Sequence, residues 1–358
     1  MEITKKQLIK ELKVLCELPG PSGREEKIAA HIIKQVEEMG LSYSLDNLGN
    51  VMVSYGNSTS PRLLVCGHMD EVGFLVIDIK PTGLIEAKNV GGLNLSELGS
   101  TRVKLITRNN QVYRGCINDL SPHLSGEMSA SSSLCFDFGF KSDREAKKLG
   151  VHVQDIIVFD EPFVLINKNK RFMSKAIDDR YGCALGLALL RNLVSEKKDI
   201  CCNLTVAFSV QEEVGSRGIA AIIRKVKPDL CIIVDASPAR DGFGDLNGEG
   251  KLDSGVLVRY LDRGQLFYKP LLDWQIDVCN RLKVPHQLFF SPGGTDGGVA
   301  HKELNGVYTL VHGICLRNIH GPSGMASVDD LYNAHKSLCG MVEGFDNKLV
   351  TLLKNGGI

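Results

Sequence analysis

Apolar residues near the N-terminus recur every three to four positions, which is the period of an amphipathic helix. This pattern over residues 8–18 predicts a first helix that ends at Gly20. Residues 22–25 (SGRE) then match the capping-box pattern, in which a serine accepts from the third amide of a helix and a glutamate reaches back. We therefore expect these residues to open a second helix that ends near residue 40.

The rest of the chain, apart from a central segment, alternates between apolar runs of strand length and segments of helical period. Strands are predicted over residues 50–55, 62–66, 204–210, 230–235 and 306–311, and helices over residues 181–194, 219–225, 271–282 and 328–353. Several of these strands are continuously apolar, which is typical of strands that are buried on both faces. Helices interleaved with buried strands imply a three-layer α/β fold with a mainly parallel sheet.

The central segment, residues 72–165, has a different pattern. Short alternating runs are separated by Gly, Asn-Asn and Pro, which is typical of a β-rich, barrel-like domain, and one short helix is predicted over residues 142–149. The simplest division makes residues 1–71 and 166–358 one α/β domain and residues 72–165 an insertion between two strands of its sheet.

Composition and charge exclude several classes of partner. Lys and Arg together number 42, as do Asp and Glu, so no net field would attract nucleic acid or an anionic membrane. The apolar runs are too short to span a bilayer, and the N-terminus lacks the apolar core of a signal peptide. The eleven cysteines are odd in number and include no C-x-x-C pair, which indicates a protein of the reducing cytoplasm.

The candidate chemistry collects at the ends of the predicted strands. The residues are His68 and Asp70 after one strand, Glu212 and Glu213 after a second, Asp235 after a third, Asp178 at a turn into a helix, and His320 in a late loop. Because ligands of open α/β sheets bind beyond the carboxyl ends of the strands, we expect these side chains to meet at one edge. Crowded carboxylates repel one another, so the cluster calls for a cation, and imidazole with carboxylate suits zinc, cobalt or manganese.

The two adjacent glutamates permit a more specific hypothesis. Neighbouring residues of an extended chain point to opposite sides, so one of Glu212 and Glu213 can bind a cation while the other faces a substrate. The cluster has enough donors for two ions that share one carboxylate, and a two-metal site can hold and polarise a hydroxide between the ions. This chemistry needs a nearby carboxylate that is not a ligand to carry the proton.

Six motifs resemble, in the same order, those of the TET-type aminopeptidases, which are co-catalytic metallopeptidases that include glutamyl and deblocking aminopeptidases. The motifs are residues 67–74 (GHMDEVGF), 175–183 (KAIDDRYGC), 211–218 (QEEVGSRG), Asp235, 293–296 (GGTD) and 317–320 (RNIH). The likeness covers nearly the whole chain, including the β-rich insertion.

The resemblance implies two divalent metal ions (Zn, Co or Mn) per subunit and a set of ligands for them. Asp178 would bridge the two ions. His68 and Asp235 would complete the protein ligands of one ion, and Glu213 and His320 those of the other.

The resemblance also implies roles for the residues around these ligands. Glu212 would be the general base, which takes a proton from the bridging water and passes it to the leaving amine. Asp70 would accept a hydrogen bond from the far nitrogen of His68 and fix its tautomer. In related enzymes the peptide bond after the bridging aspartate is cis, so we expect a cis bond between Asp178 and Asp179.

The loop around His320 departs from the family pattern. After the ligand histidine the family often has Ser and, three residues further on, Glu, where this chain has Gly321 and Gly324. His312 also follows a predicted strand and is the rival ligand. The Arg-x-x-His context and the position before the last helix favour His320.

Two further motifs have open interpretations. Residues 293–298 (GGTDGG) lack the lysine and the spacing of phosphate-binding loops, so we assign them to a pocket wall with Thr295 and Asp296 as substrate contacts. A turn formed only because of the glycines is the alternative. In the insertion, His123 is a candidate to reach the site of a neighbouring subunit, and a solvated loop histidine is the alternative.

These features predict a cytoplasmic two-metal aminopeptidase that removes N-terminal residues from short peptides. The resemblance further implies self-assembly, often as a twelve-subunit tetrahedral particle, through the insertion. A metal-dependent N-acyl amino acid deacylase shares the metal chemistry and differs in the pocket. A glycoside hydrolase would use two carboxylates but leaves the histidines and Asp178 unexplained. A non-catalytic assembly module would not need the complete set of ligands and base.

Overall fold

The computed structural model describes residues 3–56, 61–93, 98–118, 133–243 and 250–356, so His123 lies outside the described residues. Within them the helices are α1 (Lys5–Glu17), α2 (Glu26–Glu38), α3 (Asp143–Lys148), α4 (Ile177–Ser195), α5 (Ile219–Val226), α6 (Lys269–Leu282), α7 (Gly297–Ala300), α8 (Val328–Gly344) and α9 (Asn347–Lys354).

The strands of the described residues are shorter and more numerous than the helices. They are β1 (Tyr43–Leu45), β2 (Val51–Gly56), β3 (Arg62–His68), β4 (Gly73–Ile79), β5 (Ile85–Val90), β6 (Arg102–Ile106), β7 (Val112–Ile117), β8 (Ser133–Asp137), β9 (Ile156–Phe159), β10 (Val164–Ile166), β11 (Arg171–Ser174), β12 (Asn203–Ser209), β13 (Leu230–Val234), β14 (Ser237–Pro238), β15 (Val256–Leu261), β16 (His286–Phe290), β17 (Tyr308–Gly313), β18 (Cys315–Leu316) and β19 (Gly324–Ser327).

One large mixed sheet contains the strands whose ends carry the candidate site residues. Its eight strands lie in the order β1-β2-β12-β3-β13-β17-β15-β16. The four central strands, β12, β3, β13 and β17, run parallel to one another, and their carboxyl ends therefore lie at the same edge. The register places Ser209, the last residue of β12, beside His68, the last residue of β3. The predicted α/β fold is confirmed.

Helices cover this sheet because its central strands are apolar on both faces. Helix α4 packs against β3 and β12, and α1 and α8 pack against α4 in turn. Nearly every residue of α4 is buried, as expected for a helix without a polar face. Elsewhere α5 packs against β12, and α7 against β17. None of the helices in the described part of the chain combines the length and the apolar composition needed to cross a bilayer.

The central segment contains a closed β-barrel with the strand order β4-β5-β8-β7-β6-β9. Its core includes Phe74, whose ring meets the rings of Phe136 and Phe159 edge-on, with centroids 4.9 and 5.9 Å apart. All six barrel strands lie between Gly73 and Phe159, so the predicted barrel-like insertion is confirmed. The division of the chain into domains at residues 72 and 165 stays a prediction.

Two details of the predicted helices are wrong. The predicted capping box does not form, since α2 begins after Glu25 without a side-chain cap and the Ser22 hydroxyl donates to Asp70 instead, at 2.6 Å. The single closing helix predicted over residues 328–353 is two helices. The chain leaves α8 at the extended Phe345, and Asp346 caps a new helix by accepting from the Leu349 amide at 2.9 Å.

The strands at one side of the sheet, β15 and β16, were not predicted from sequence. The apolar run of β15 is interrupted by Arg259, which is almost fully buried. Its guanidinium donates to Asp262, three residues further on, at 3.2 Å, and to the carbonyl of Ala236 at 3.3 Å. Because Arg259 interrupts the apolar pattern, hydrophobicity alone does not predict the buried strand β15.

A buried ionic cluster holds the start of the chain against the sheet edge. Glu71 accepts from Lys175 Nζ at 2.9 and 2.7 Å and from Arg180 Nη2 at 3.2 Å, and all three residues are at most 1% exposed. The Gly20 amide also donates to Glu71, at 2.9 Å, and both cations donate to the Leu18 carbonyl. The cluster thus ties the segment after α1 to the end of β3 and to the start of α4.

We predict that Glu71→Gln strongly destabilises the fold, because it leaves the Lys175 and Arg180 charges buried without a counter-ion. Breaking a buried ion pair in this way typically costs about 3–5 kcal/mol. The free energy of unfolding, measured from urea denaturation, reports the effect. Asp143→Asn, which removes an exposed ion pair with Lys147 on α3, is the matched control and should leave the midpoint close to that of the unchanged protein. A Glu71→Gln variant within about 1 kcal/mol of the unchanged protein would contradict the prediction.

Candidate metal centre

The carboxyl ends of three adjacent central strands bring the predicted site residues together. His68 is the last residue of β3, Glu212 and Glu213 lie in the turn after β12, and Asp235 directly follows β13. Two further residues reach this edge from other elements. Asp178 lies at the start of α4, and His320 lies in the loop between β18 and β19.

Asp178 lies between the two histidines and presents one carboxylate oxygen to each. His68 Nε2 is 3.2 Å from Asp178 Oδ1, and His320 Nε2 is 3.3 Å from Asp178 Oδ2. His320 Nε2 is also 3.3 Å from Glu213 Oε2. Ligand atoms of His68, Asp178 and Glu213 all lie within 4.8 Å of one another, a grouping that could hold a metal ion.

Asp70 connects the end of β3 to the turn after β12. His68 Nδ1 lies 3.3 Å from Asp70 Oδ1, on the ring edge opposite to Asp178. The amides of Glu212 and Glu213 donate to the two carboxylate oxygens of Asp70, at 3.0 and 3.1 Å. The backbone carbonyl of Asp70 also lies 3.2 Å from His68 Nδ1. Asp70 therefore orients the His68 ring through its carbonyl and carboxylate, and its carboxylate fixes the backbone of both glutamates.

Asp179 holds the backbone of His68, a role that the sequence did not predict for it. Its side chain is fully buried and accepts from the His68 amide at 3.0 Å and from the Gly182 amide at 3.1 Å. A Cβ at position 182 would lie 2.3 Å from Asp179 Oδ2, so only glycine fits there. The Asp178–Asp179 peptide bond is cis, as expected. The sequence feature that could have indicated this role is the glycine at position 182, three residues after Asp179.

The electrostatics of the cluster fit a site for cations. Burial raises the pKa values of Glu212, Glu213 and Asp235, and neighbouring negative charges, including that of Asp178, raise them further. Although burial opposes it, the hydrogen bonds from His320 and His68 lower the pKa of Asp178. Four carboxyl groups are thus crowded around two imidazoles. Divalent cations bound here would supply positive charge that offsets these carboxylates.

The donor set also has the chemistry that a metal requires. Oε1 of Glu213 is buried and has no hydrogen-bond partner within the described residues. A buried carboxylate oxygen without a donor carries a desolvation cost that a coordinated ion would remove. Two imidazoles and several carboxylates are ligands that suit zinc, cobalt and manganese. The residues present therefore fit the predicted divalent ions.

His312, the rival ligand, has its own partners inside the protein. Its Nδ1 lies 3.2 Å from Gln275 Nε2, and its Nε2 lies 3.0 Å from the carbonyl oxygen of Ala334 and 3.1 Å from the hydroxyl of Ser337. Burial lowers the pKa of His312 to about 4, which keeps the ring neutral. Of the two histidines, His320 is the one that lies beside Asp178 and Glu213, so the geometry favours it as the candidate ligand.

Thr295 and Asp296, which were predicted to contact substrate, are both almost fully buried. Thr295 Oγ1 accepts from the Gly297 amide at 3.1 Å. Asp296 Oδ2 accepts from the Ser209 hydroxyl at 2.7 Å. Their contact with substrate stays a prediction.

Comparison with known families identifies the protein class. A model of the M42 glutamyl aminopeptidase family matches residues 49–336, a range that contains every predicted site residue. The chain belongs to this family. The glutamyl aminopeptidase of Lactococcus lactis is 33% identical over 357 residues, which are 98% of this chain and 99% of that protein. The predicted resemblance and the predicted enzyme class, a peptide hydrolase, are confirmed.

Solved structures of TET peptidases share the whole fold. The TET aminopeptidase from a marine sediment Thaumarchaeota archaeon matches with a TM-score of 0.91 and 29% identity, over 96% of this chain and 99% of that one. The TET1 peptidase of Pyrococcus horikoshii matches with a TM-score of 0.84 and 27% identity, over 94% of this chain and 100% of that one. The latter peptidase can assemble into a tetrahedron or a large octahedral shell.

We predict that replacing His320 and His312 separately has opposite effects. His320→Ala should lower the amount of bound divalent metal, measured by elemental analysis after dialysis, and should leave the fold intact. His312→Ala should retain the metal but lower the free energy of unfolding by about 1–3 kcal/mol, because Gln275 and Ser337 lose a buried partner. Loss of metal only in the His312 variant would reverse the assignment.

Proposed function

We propose that the protein is a dinuclear-metal aminopeptidase that removes N-terminal residues from short peptides. The observation that carries the proposal is the Asp178 carboxylate, which directs one oxygen towards His68 and the other towards His320. A carboxylate shared in this way suits two neighbouring ions. Membership of the M42 family and a glutamyl aminopeptidase relative support the substrate class.

In this proposal Asp178 would be shared between the two ions, His68 and Asp235 would help to hold one of them, and Glu213 and His320 would help to hold the other. Zinc, cobalt and manganese are the metals that suit these donors. When bound, the ions would lower the pKa of the attacking water and polarise the carbonyl of the scissile bond.

Glu212 is the proposed general base. It would accept a proton as the water oxygen attacks the carbonyl carbon, and it would deliver that proton to the nitrogen as the C–N bond breaks. Burial raises the pKa of Glu212, so its carboxyl group can hold a proton between the two steps. Asp70 fixes the His68 ring and the backbone of Glu212, which limits how far ligand and base can move apart.

Self-assembly into a twelve-subunit tetrahedral particle, and a location in the reducing cytoplasm, remain part of the proposal. Assembly is supported by the TET1 peptidase of Pyrococcus horikoshii, which can assemble into a tetrahedron or a large octahedral shell. The cysteine pattern that indicates the cytoplasm comes from the sequence alone.

Metal removal tests the reaction class. We expect the protein to cleave a panel of amino-acid anilides, to lose this activity after dialysis against a chelator, and to regain it with zinc, cobalt or manganese. The rate across the panel would rank the side-chain preference. Cleavage of N-acyl amino acids without cleavage of any anilide would identify the deacylase instead.

Replacement of the proposed base separates chemistry from metal binding. Glu212→Gln should keep the bound metal, measured by elemental analysis, and should lower kcat by about 10²–10⁴-fold, because the amide cannot accept the proton. Glu37→Gln, which changes an exposed glutamate on α2, is the matched control and should have the activity of the unchanged protein. An active Glu212→Gln variant would refute the assignment.

A further inference from the structure

An ion pair joins two chain segments that carry proposed metal ligands. Arg317 Nε donates to Asp241 Oδ1 and Arg317 Nη2 donates to Asp241 Oδ2, both at 2.7 Å. Two parallel hydrogen bonds of this kind fix the relative orientation of the guanidinium and the carboxylate as well as their distance. The side chains of Arg317 and Asp241 are 26% and 13% exposed, so the pair is partly shielded from water. The fork is therefore a directional link between the two segments.

The two segments run side by side before they reach this pair. The Asp235 amide donates to the carbonyl of His312 at 3.2 Å, and β14 then pairs in parallel with β18. A further bond of 2.7 Å runs from the Ala239 amide to the carbonyl of Leu316. The ion pair lies just beyond this bond in both segments, since Arg317 directly follows Leu316. It thus continues a ladder of backbone hydrogen bonds that starts at the proposed ligand Asp235.

Arg317 also begins the loop that carries His320. Its backbone exchanges two hydrogen bonds of 3.0 Å with Met325, and these bonds close the loop at its base. Met325 belongs to β19, which pairs with β11, the strand that leads into Asp178. The position of Arg317 is therefore linked to the segments that carry Asp235, His320 and Asp178.

The backbone of the His320 loop is strained, so the loop needs support from its surroundings. His320 and Asn318 have φ angles of 60° and 55°, in the left-handed region that residues other than glycine uncommonly adopt. Such conformations persist only where the surrounding structure imposes them. Gly321 and Gly324 carry no side chains that could do so. The contacts at the ends of the loop, where Arg317 lies, therefore contribute to its conformation.

We propose that Asp241 and Arg317 are positioning residues that hold the His320 loop against the segment of Asp235, so that these two proposed ligands keep their separation. The inference rests on the proposed function, which assigns His320 and Asp235 to different ions. In this role neither member of the pair touches substrate or metal. The planar fork is the feature that the role requires. A lysine at position 317 would keep the positive charge but would lose the fixed orientation.

The test measures the affinity of the protein for zinc, by competition with a chromogenic chelator, in variants of the pair. Asp241→Asn and Arg317→Lys should each weaken the binding of at least one ion about 10–100-fold, the usual effect of changing a residue that orients a metal ligand. The double variant should lose no more affinity than the more strongly affected single variant, because both changes break the same fork. The cobalt-loaded Arg317→Lys variant should also have an altered visible absorption spectrum, since these bands depend on the geometry of the ligands.

Glu303→Gln is the matched control, which separates a positioning role from a general loss of structure. Arg224 Nε and Nη2 donate to the two carboxylate oxygens of Glu303 at 2.7 and 3.1 Å, so this pair has the same forked geometry. The Glu303 side chain is 17% exposed, close to the value for Asp241, and the pair joins α5 to the segment after α7. Glu303→Gln should retain the zinc affinity, the cobalt spectrum and the kcat of the unchanged protein. Urea denaturation of every variant would show that the fold is intact.

Three results would overturn the inference. The first is a zinc affinity of Asp241→Asn within about twofold of that of the unchanged protein. The second is an equal loss of zinc affinity in Glu303→Gln. The third is an Arg317→Lys variant with unchanged zinc affinity and a rise in KM confined to anilides of acidic amino acids, which would indicate that Arg317 contacts the substrate. A failure of the proposed function is distinguishable, because the unchanged, metal-loaded protein would then not cleave anilides, whatever the zinc affinity of the variants.

Discussion

The Asp70 carboxylate holds together the two strand ends on which the candidate site is built. It lies beside the His68 ring at the end of β3 and accepts the amides of Glu212 and Glu213 in the turn after β12. It also accepts the hydroxyl of Ser22, which brings in the segment between α1 and α2. A buried carboxylate needs donors of this kind, and backbone amides supply them without adding charge. The relative positions of a proposed ligand and the proposed base therefore depend on one residue, Asp70, which contacts His68 through its backbone carbonyl as well as its carboxylate.

Positive charge is distributed unevenly around this edge of the sheet. Lys175 and Arg180 lie close to the site in sequence, yet both are paired with Glu71, on the side of the chain opposite to Asp70. The charges that act most strongly on Asp235 are those of three carboxylates, Asp178 among them, and a single histidine. The protein thus neutralises Glu71, which anchors the fold, whereas the carboxylates of the candidate site repel one another. Because the carboxylates repel one another, they bind a cation more favourably than carboxylates that lysine or arginine has already neutralised.

The parts of the structure that follow from local pattern were predictable, and those that depend on distant partners were not. Buried strands predicted the sheet, and their polar ends predicted His68, Glu212 and Asp235 at one edge. Ser22 has the sequence of a helix cap, but a carboxylate far along the chain, Asp70, takes its hydroxyl. The support of His68 by Asp179 likewise needs α4 and β3 in contact.

The adjacent glutamates show how one short turn supports two tasks at once. Glu213 faces His320, with 3.3 Å between Oε2 and Nε2, whereas Glu212 Oε1 accepts from Ser216. The amides of both residues donate to Asp70, so their backbones are fixed together while their side chains diverge. Neutral hydroxyl donors can hold a carboxylate without the strong depression of its pKa that a cation would cause. As the proposed base, Glu212 must both accept and release a proton, so a neutral hydroxyl partner suits it. Glu213, as a proposed metal ligand, does not need such a partner.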